Sequence, residues 1–583
     1  MPKIIDIIHR LCPKGTSPAR RPNWKKCPAW PPDLFAVTAT LVNLSGCYAK
    51  PCCTSPWEEF YIFKDSYFQT VKDMSKTWQE KIGLGPPRKV QDLWDGLLQQ
   101  GSCEVSPVTE TRREYHRKVE PWWEKALTLM AVADEASIGI GFAYNEKNPF
   151  AYFVVVNLPD LLKKEMKKAT RLPYLPQSVC VIVPPEEACI QPKTRTPQVG
   201  CTLRSLSHHL ALLPSIGEVE TRWQYAVSEK DLNSYIHEDY QMERPLNLLL
   251  VPFPFRVDGN CFVGEGNLPS SEEGMNKQKF FVLRQQWLQN GKVRLTAKTI
   301  GDFLLGLIER AKQEVGIVHG IVLPETSLDE RQVRPLANFL AVHTDLELFI
   351  TGMASPVSAQ IPKNSVFTSI FLHHQMLTCW SQPKHHRWQL TGGQICHYHL
   401  GDAFSRDTFD PRGWWEKIDV GGRQCTFYVF RPGASLAALI CEDLARIDPV
   451  QTVLRSIGPN LVIVLLMDGP QREGRWPGRY ATVLADDPGS AVLTLTSLGM
   501  VRRSVDPGQE EPCEIALWKE ASGVARELKL PKGDHALLLT LAQSTQEQFT
   551  LDGRSDHGTT TQLSLTGVRG IKHPKPPQWA SLD

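Results

Sequence analysis

The sequence contains no C-x-x-C pair, no internal repeat, almost no net charge, and no apolar run approaching the ~20 residues that a membrane-spanning helix needs. Each absence removes a class of function. Without paired C-x-x-C spacings the 15 cysteines suggest neither a zinc ribbon nor a disulfide framework, and the count is odd. Cys47, Cys52 and Cys53 cluster, but no second pair answers them. Reduced thiols in the cytoplasm are therefore expected, with no metal and no cofactor. A formal charge of +2 over 583 residues argues against a strongly basic nucleic-acid binder. The basic stretch from Arg10 to Lys26 is the one feature that favours nucleic acid, and it reads first as a solvated tail. Acidic and basic residues both occur in the first ten positions, so the opening segment is not read as a signal peptide.

What is present is ordinary globular material in a long chain. Hydrophobic residues make up 42% and charged residues 22%, values that support a large buried core. At 583 residues more than one domain is expected. Residues 1–245 read as an α/β or α+β region, divisible into modules of about 1–110 and 111–245. Within it a Pro-Pro-Asp start predicts a helix from Pro31 through Val42. Glu120-Pro121-Trp122-Trp123 opens another helix, running through Ala133. Short β-branched runs predict strands at Phe150 to Asn157 and Val179 to Val183, and Pro184 to Gly200 reads as a loop. No catalytic motif is visible in this half.

Residues 246–583 alternate strands and helices. Strands are predicted at Leu246 to Val251, before Glu325, and at Leu346 to Ile350, Val366 to Phe371, Thr426 to Phe430, Ser435 to Ile440, Leu461 to Leu466 and Ala491 to Thr496. Helices are predicted from Lys298 to Glu314, with Phe303, Leu304, Leu307, Ile308 and Ala311 on one face, and from Asp329 to His343. Fully apolar strands alternating with amphipathic helices imply sheets covered by helices. In such sheets reactive groups gather at strand ends.

Three strand ends carry chemistry. Ala437-Ala438-Leu439-Ile440-Cys441-Glu442-Asp443 delivers a thiol to the rim of a sheet and follows it with two acids. Most such cysteines are small core hydrophobes, but a strand ending in Cys-Glu-Asp must turn toward solvent or a polar cleft. A thiol there becomes a strong nucleophile once a neighbour takes its proton. Ile321-Val322-Leu323-Pro324-Glu325 delivers a carboxylate the same way. Glu325 reads either as an acid at the start of the following helix or as a general base tuned by burial. Lys384, in Gln382-Pro383-Lys384-His385-His386, says little alone and would serve a site as a fixed positive charge.

Together, Val322-Leu323-Pro324-Glu325-Thr326-Ser327-Leu328, Gln382-Pro383-Lys384-His385-His386 and Leu439-Ile440-Cys441-Glu442-Asp443 resemble the three signature stretches of the nitrilase, or carbon–nitrogen hydrolase, superfamily, in the family's order and near its spacing. Asn364-Ser365-Val366-Phe367, Pro459 to Val464 and Arg479 to Gly499 resemble the flanking segments. The likeness spans about 246–575. It implies a four-layer α-β-β-α sandwich and a Cys-Glu-Lys triad of Cys441, Glu325 and Lys384, with the backbone N–H of Glu442 beside the lysine as oxyanion support and Asp443 close by. It also implies a thiol hydrolase that cleaves a non-peptide amide or nitrile bond through a thioester. Cys-Glu-Asp resembles glutaminase-type members, yet no ATP-pyrophosphatase signature follows. Where many members carry a second Glu in a Gly-Glu pair past the lysine, Gly393-Gln394 stands here. Gln394 is therefore expected to hydrogen-bond the lysine without the charge.

The expected partners are a small amide or nitrile, a second copy of the chain and a protein bound through the N-terminal region. The contrasting expectation is a nitrilase-like assembly module with weakened chemistry, by analogy with nitrilase-like domains of bacterial antiviral systems. Two other motifs read as structural. Val483-Leu484-Ala485-Asp486-Asp487 resembles a polymerase aspartate pair but falls at a helix end. The pairs His208-His209, His373-His374 and His385-His386 point to opposite faces if extended, which disfavours metal. The loops Gly264 to Gln278 and Met467 to Gly478 are expected to shape the substrate pocket.

Overall fold

The computed structural model describes residues 1–17, 20–52, 65–80, 85–106, 120–138, 178–214, 219–225, 245–265, 279–356, 359, 362–372, 374–401, 404, 413–431, 434–506 and 508–582. The strand expected at Phe150 to Asn157, His373 and most of the Gly264 to Gln278 loop lie outside them. Among the described residues no helix is long and apolar enough to cross a membrane.

The first part of the chain builds a helical core from α1 (Ile4–Leu11), α2 (Pro31–Ser45), α3 (Asp65–Glu80), α4 (Arg88–Gln99) and α5 (Pro121–Glu135). Prolines open α2 and α5 at positions where the missing N–H costs nothing. Both helices are buried on almost every face because the others wrap them. One hydrophobic cluster runs from Ile4 to Leu210, on both sides of the split expected near residue 110. Helices predominate among the described residues of this region. Val179 to Val183 forms no strand, because Asp33 Oδ1 accepts the N–H groups of Val181, Ile182 and Val183 at 3.0–3.1 Å and none is left for a ladder. The expected loop after Pro184 instead holds β1 (Cys189–Pro192), which pairs antiparallel with β2 (Leu210–Leu213). The basic stretch is a folded segment rather than a tail: Trp24 donates to the Cys12 carbonyl at 2.8 Å and packs on the helical core.

The β1–β2 pair joins two cores by simple alternation. Ile190 and Leu210 face the helical cluster, while Cys189, Ala211 and Leu213 face a second and larger one. The next strand, β3 (Glu220–Tyr225), already belongs to the second unit, where it pairs in parallel with a strand two hundred residues on. This strand precedes residue 245, where the division is expected from the sequence. A boundary at a short strand with few apolar residues leaves no compositional trace.

The second unit contains, in chain order, β4 (Leu246–Leu250), β5 (Phe262–Glu265), β6 (Lys279–Leu283), α6 (Ala297–Val315), β7 (Gly320–Val322), α7 (Glu330–His343), β8 (Leu348–Ala354), β9 (Asn364–Leu372), β10 (Gln375–Pro383), β11 (Gln389–Leu390), α8 (Gly392–His397) and β12 (Trp414–Glu416). It continues with β13 (Gln424–Arg431), β14 (Ala434–Ile440), β15 (Leu461–Leu466), α9 (Trp476–Asp486), β16 (Ala491–Thr496), β17 (Glu514–Lys519), β18 (Ala525–Lys529), β19 (Ala536–Gln546) and β20 (Thr560–Ile571). One sheet runs β10-β9-β8-β7-β4-β19-β20, the other β18-β17-β16-β15-β14-β13-β3. The sheets pack face to face, and buried Gln382 bridges them: its amide donates to the Ala438 carbonyl at 3.1 Å and accepts the Thr426 N–H at 2.8 Å. Helices α6 and α7 cover the outer face of the first sheet, and α9 covers the second. This is the expected four-layer α-β-β-α sandwich. A small sheet, β11-β12-β6-β5, lies beside it.

A buried ionic knot fastens the two units. Arg554, in the β19–β20 turn, donates to Asp552 at 3.0 Å, to Glu135 on α5 at 2.5 Å and to the Leu206 carbonyl at 2.7 Å. Tyr67 on α3 donates to Asp552 at 2.6 Å. Removing one partner leaves buried charge uncompensated, so Arg554→Ala should lower unfolding free energy by about 3–5 kcal/mol in urea denaturation. A loss within experimental error would show that the knot does not hold the units together.

Candidate active site

Three strands of the sandwich and one of the side sheet converge on a single buried ammonium. Lys384 follows β10, and its Nζ donates to Glu325 Oε1 at 2.9 Å and to Glu416 Oε2 at 2.7 Å. Glu325 sits three residues past the central strand β7, Glu416 ends β12, and Asn364 opens β9. Asn364 Nδ2 donates to Glu325 Oε1 and to Glu416 Oε1, both at 2.8 Å, and its carbonyl accepts the Lys384 N–H at 2.9 Å. Lys384 is fully buried, and Glu325 and Asn364 nearly so. Burial opposes the lysine's charge, but Glu325 and Glu416 overcome it and hold the ammonium well above its ordinary range.

The two carboxylates are not equivalent. Both oxygens of Glu416 are used, since Oε2 also accepts the Trp388 N–H at 3.1 Å. Among the described residues Glu325 spends only Oε1; its Oε2 is buried with no hydrogen-bond partner there. Burial, with Glu416 adding to it, raises the Glu325 carboxyl above its ordinary 4.5 against the pull of Lys384 and Asn364.

Cys441 directly follows β14 and begins a short 3-10 turn, Cys441–Leu444. Its φ of 45° lies in the left-handed region, a conformation that costs a non-glycine residue about 1–3 kcal/mol and survives where the surroundings impose it. The thiol is buried and its pKa is pushed well above 9.0, by desolvation first and then by the charge of Glu325, while Lys384 acts in the opposite direction. Cys441, Glu325 and Lys384 thus lie within one electrostatic neighbourhood. The two acids after the cysteine divide. The Glu442 side chain pairs with Arg446 at 2.6 Å. Asp443 is buried and accepts the N–H groups of His385 and His386 at 3.0–3.1 Å, which locks the lysine loop to the cysteine turn. His386 Nδ1 reaches the same carboxylate at 3.1 Å, and His385 Nε2 lies 2.8 Å from the Gln424 carbonyl.

Gln394 is not part of this cluster. It closes a capping box at the start of α8, its Oε1 accepting the Thr391 N–H at 3.1 Å, while the place expected for it beside Lys384 is taken by Glu416. A glutamate ending a short strand of a side sheet had no motif to mark it. The remaining motifs are structural. Asp487 accepts from Arg204 at 2.8–2.9 Å, and His208 packs between Thr196 and the Arg554 carbonyl. Among the described residues no group of three or more His, Cys, Asp or Glu is arranged to hold a metal.

No family model and no curated protein matches the sequence. Solved structures do. The chain is similar to nitrilase-superfamily structures over about half its length. A mutant amidase from Nesterenkonia AN1 is 11% identical, with a TM-score of 0.29, over 48% of this chain and 85% of the amidase. Saccharomyces cerevisiae Nit3 is 11% identical, with a TM-score of 0.29, over 52% of this chain and 92% of Nit3. A glutamine-dependent NAD+ synthetase from Acinetobacter baumannii is 13% identical, with a TM-score of 0.29, over 57% of this chain and 48% of the synthetase. At these identities and scores none of them lends its function to this protein.

The turn bearing Glu325 leaves no room beside it. A Cβ on Gly352 of β8 would lie 2.4 Å from the Glu325 Cα and from the Thr326 nitrogen, both backbone atoms. Gly352→Ala should cost about 1–3 kcal/mol in thermal or urea unfolding through this overlap. It should also displace Glu325 and slow any reaction of the Cys441 thiol. Unchanged stability would show that the turn yields freely.

Proposed function

We propose that the protein is a thiol hydrolase of non-peptide carbon–nitrogen bonds, with Cys441 as nucleophile, Glu325 as general base and Lys384 as electrostatic stabiliser. The observation that carries this reading is the unequal use of the two carboxylates around Lys384. Glu416 is saturated and can only position the ammonium, whereas Glu325 keeps one buried oxygen free to take a proton. A thiol that rests protonated beside a carboxylate with a raised pKa suits proton transfer during attack, not a standing thiolate.

The steps balance as follows. Cys441 sulfur attacks the amide carbon as its proton passes to Glu325 Oε2, and the carbonyl electron pair moves onto oxygen. The third N–H of Lys384 and the backbone N–H of Glu442 hold that oxyanion. Collapse breaks the carbon–nitrogen bond as Glu325 returns the proton to the leaving nitrogen, and ammonia or an amine departs. Water then gives a proton to Glu325 and its oxygen to the thioester carbon. The carboxylic acid leaves and the thiol is restored. With a nitrile the thiol adds across the carbon–nitrogen triple bond to give a thioimidate, and one water adds to that carbon before ammonia leaves and the same thioester forms.

The expectation of weakened catalysis rested on Gln394, and Glu416 removes that ground by restoring the second acid. On this reading the substrate is a small amide or nitrile, a protein partner would dock through the N-terminal region, and the chain would pair with a second copy of itself.

Ammonia release from an amide and nitrile panel tests the reading. Cys441→Ala should abolish it, and Glu325→Gln should slow it by about 10²–10⁴-fold. Because the base must be ionised and burial raises its pKa, kcat/KM should fall as pH drops through a midpoint above 4.5. Ammonia release that persists in Cys441→Ala would overturn the assignment.

A further inference from the structure

One buried carboxylate next to this centre has no part in the steps above. Strand β15 lies parallel to β14 with Ile440 opposite Leu465, so the residues after Leu466 leave the sheet at the same edge as Cys441. The first of them, Met467, receives the Thr326 hydroxyl on its sulfur at 3.4 Å, which sets this segment against the Glu325 turn. The second is Asp468, only 5% exposed. Its position is fixed by three neighbours. Oδ1 accepts the Tyr398 hydroxyl and Arg475 Nη2, the latter at 2.9 Å, and its N–H donates to Thr496 Oγ1 at 3.1 Å. Its Oδ2 is buried and has no hydrogen-bond partner among the described residues.

An unsatisfied oxygen on a buried carboxylate is costly, and here the fixing bonds to Oδ1 hold Oδ2 available rather than letting the group rotate to share its donors. The charges around the thiol tilt the same way. The ion pairs of this region join the acids Glu325, Glu416, Glu442 and Asp468 to the bases Lys384, Arg446 and Arg475, and Asp443 adds a further buried carboxylate. Besides desolvation, the charges of Glu325, Glu442 and Asp468 oppose the Cys441 thiolate, and that of Lys384 favours it. A site with that balance repels anions and favours a cation.

We propose that Asp468 Oδ2 is the recognition point for a cationic nitrogen on the substrate, so that the carbon–nitrogen bond presented to Cys441 belongs to an amide or nitrile that also carries a primary ammonium group. The proposal rests on Cys441 being the reactive thiol. It adds a selectivity that the hydrolase reading alone does not require. Tyr398 and Arg475 are positioning residues here, acting through Asp468.

Three methanethiosulfonates test it on the full chain: ethylammonium, uncharged ethyl and ethylsulfonate. Each transfers its thioethyl group to the cysteine sulfur, forming a disulfide and releasing methanesulfinate. Modification of the Cys441 peptide is followed by mass spectrometry and normalised to each reagent's rate with a small thiol in solution. The wild type should react with the ammonium reagent at least about tenfold faster than with the neutral one, and slowest with the sulfonate. Asp468→Asn should erase the preference for the cation while the neutral reagent still reacts. Equal normalised rates for cation and anion in the wild type overturn the proposal without recourse to the variant. So does a preference unchanged in a folded Asp468→Asn. Failure of the uncharged reagent to modify Cys441 at all would instead bring down the hydrolase reading, and this proposal with it.

Discussion

The sandwich is organised around one lysine ammonium placed in complete burial between two carboxylates. Removing an ion from water costs several kcal/mol even after relaxation, so such a group persists only where its partners are held in good geometry. Every element that meets Lys384 contributes to that geometry. Glu325 lies three residues past a central strand of one sheet, another strand of that sheet begins at Asn364, and a strand of the side sheet ends at Glu416. Gln382, two residues before the lysine, ties its strand to the facing sheet. Asp443 then ties the lysine's own loop to the cysteine turn. The lysine therefore fixes how the two sheets register at the end where the thiol emerges.

From that constraint the two acids acquire different characters. Asn364 and Lys384 bind both, but only Glu416 receives an additional backbone N–H. Glu325 is left with a free oxygen in a dry setting, and Cys441 beside it keeps its proton because desolvation and nearby negative charge oppose the thiolate. A neutral thiol next to a poised carboxylate is less exposed to adventitious oxidation than a standing thiolate, since oxidation follows thiolate character. The strained φ of Cys441 belongs to the same arrangement, turning the chain sharply where the strand meets the site.

Much of this was legible in the sequence because it lies on strongly patterned elements. The apolar strands Leu246–Leu250, Gly320–Val322, Ala434–Ile440, Leu461–Leu466 and Ala491–Thr496 are fully buried, and the exits of the second and third mark Glu325 and Cys441. Lys384 and Asn364 followed from the resemblance of the stretches around them. Glu416 did not, because Trp414–Glu416 is a three-residue strand whose role depends on a sheet beside the main fold. With Glu416 unseen, Gln394 was given its place, although Thr391-Gly392-Gly393-Gln394 also spells a capping box, which is the part it plays. Asp33 shows the same limit in the helical half. Its carboxylate takes three consecutive N–H groups far along the chain and turns a run with strand composition into an irregular segment. Long-range side-chain to backbone bonds leave no local signature.

The account turns on Cys441 forming a covalent bond to the carbon it attacks. Rapid-quench intact-mass spectrometry, with a turned-over amide in water enriched in oxygen-18, measures this directly. The account predicts an acyl adduct that maps to the Cys441 peptide and an acid product bearing one labelled oxygen. Turnover with no adduct, or an adduct on any other residue, would contradict it.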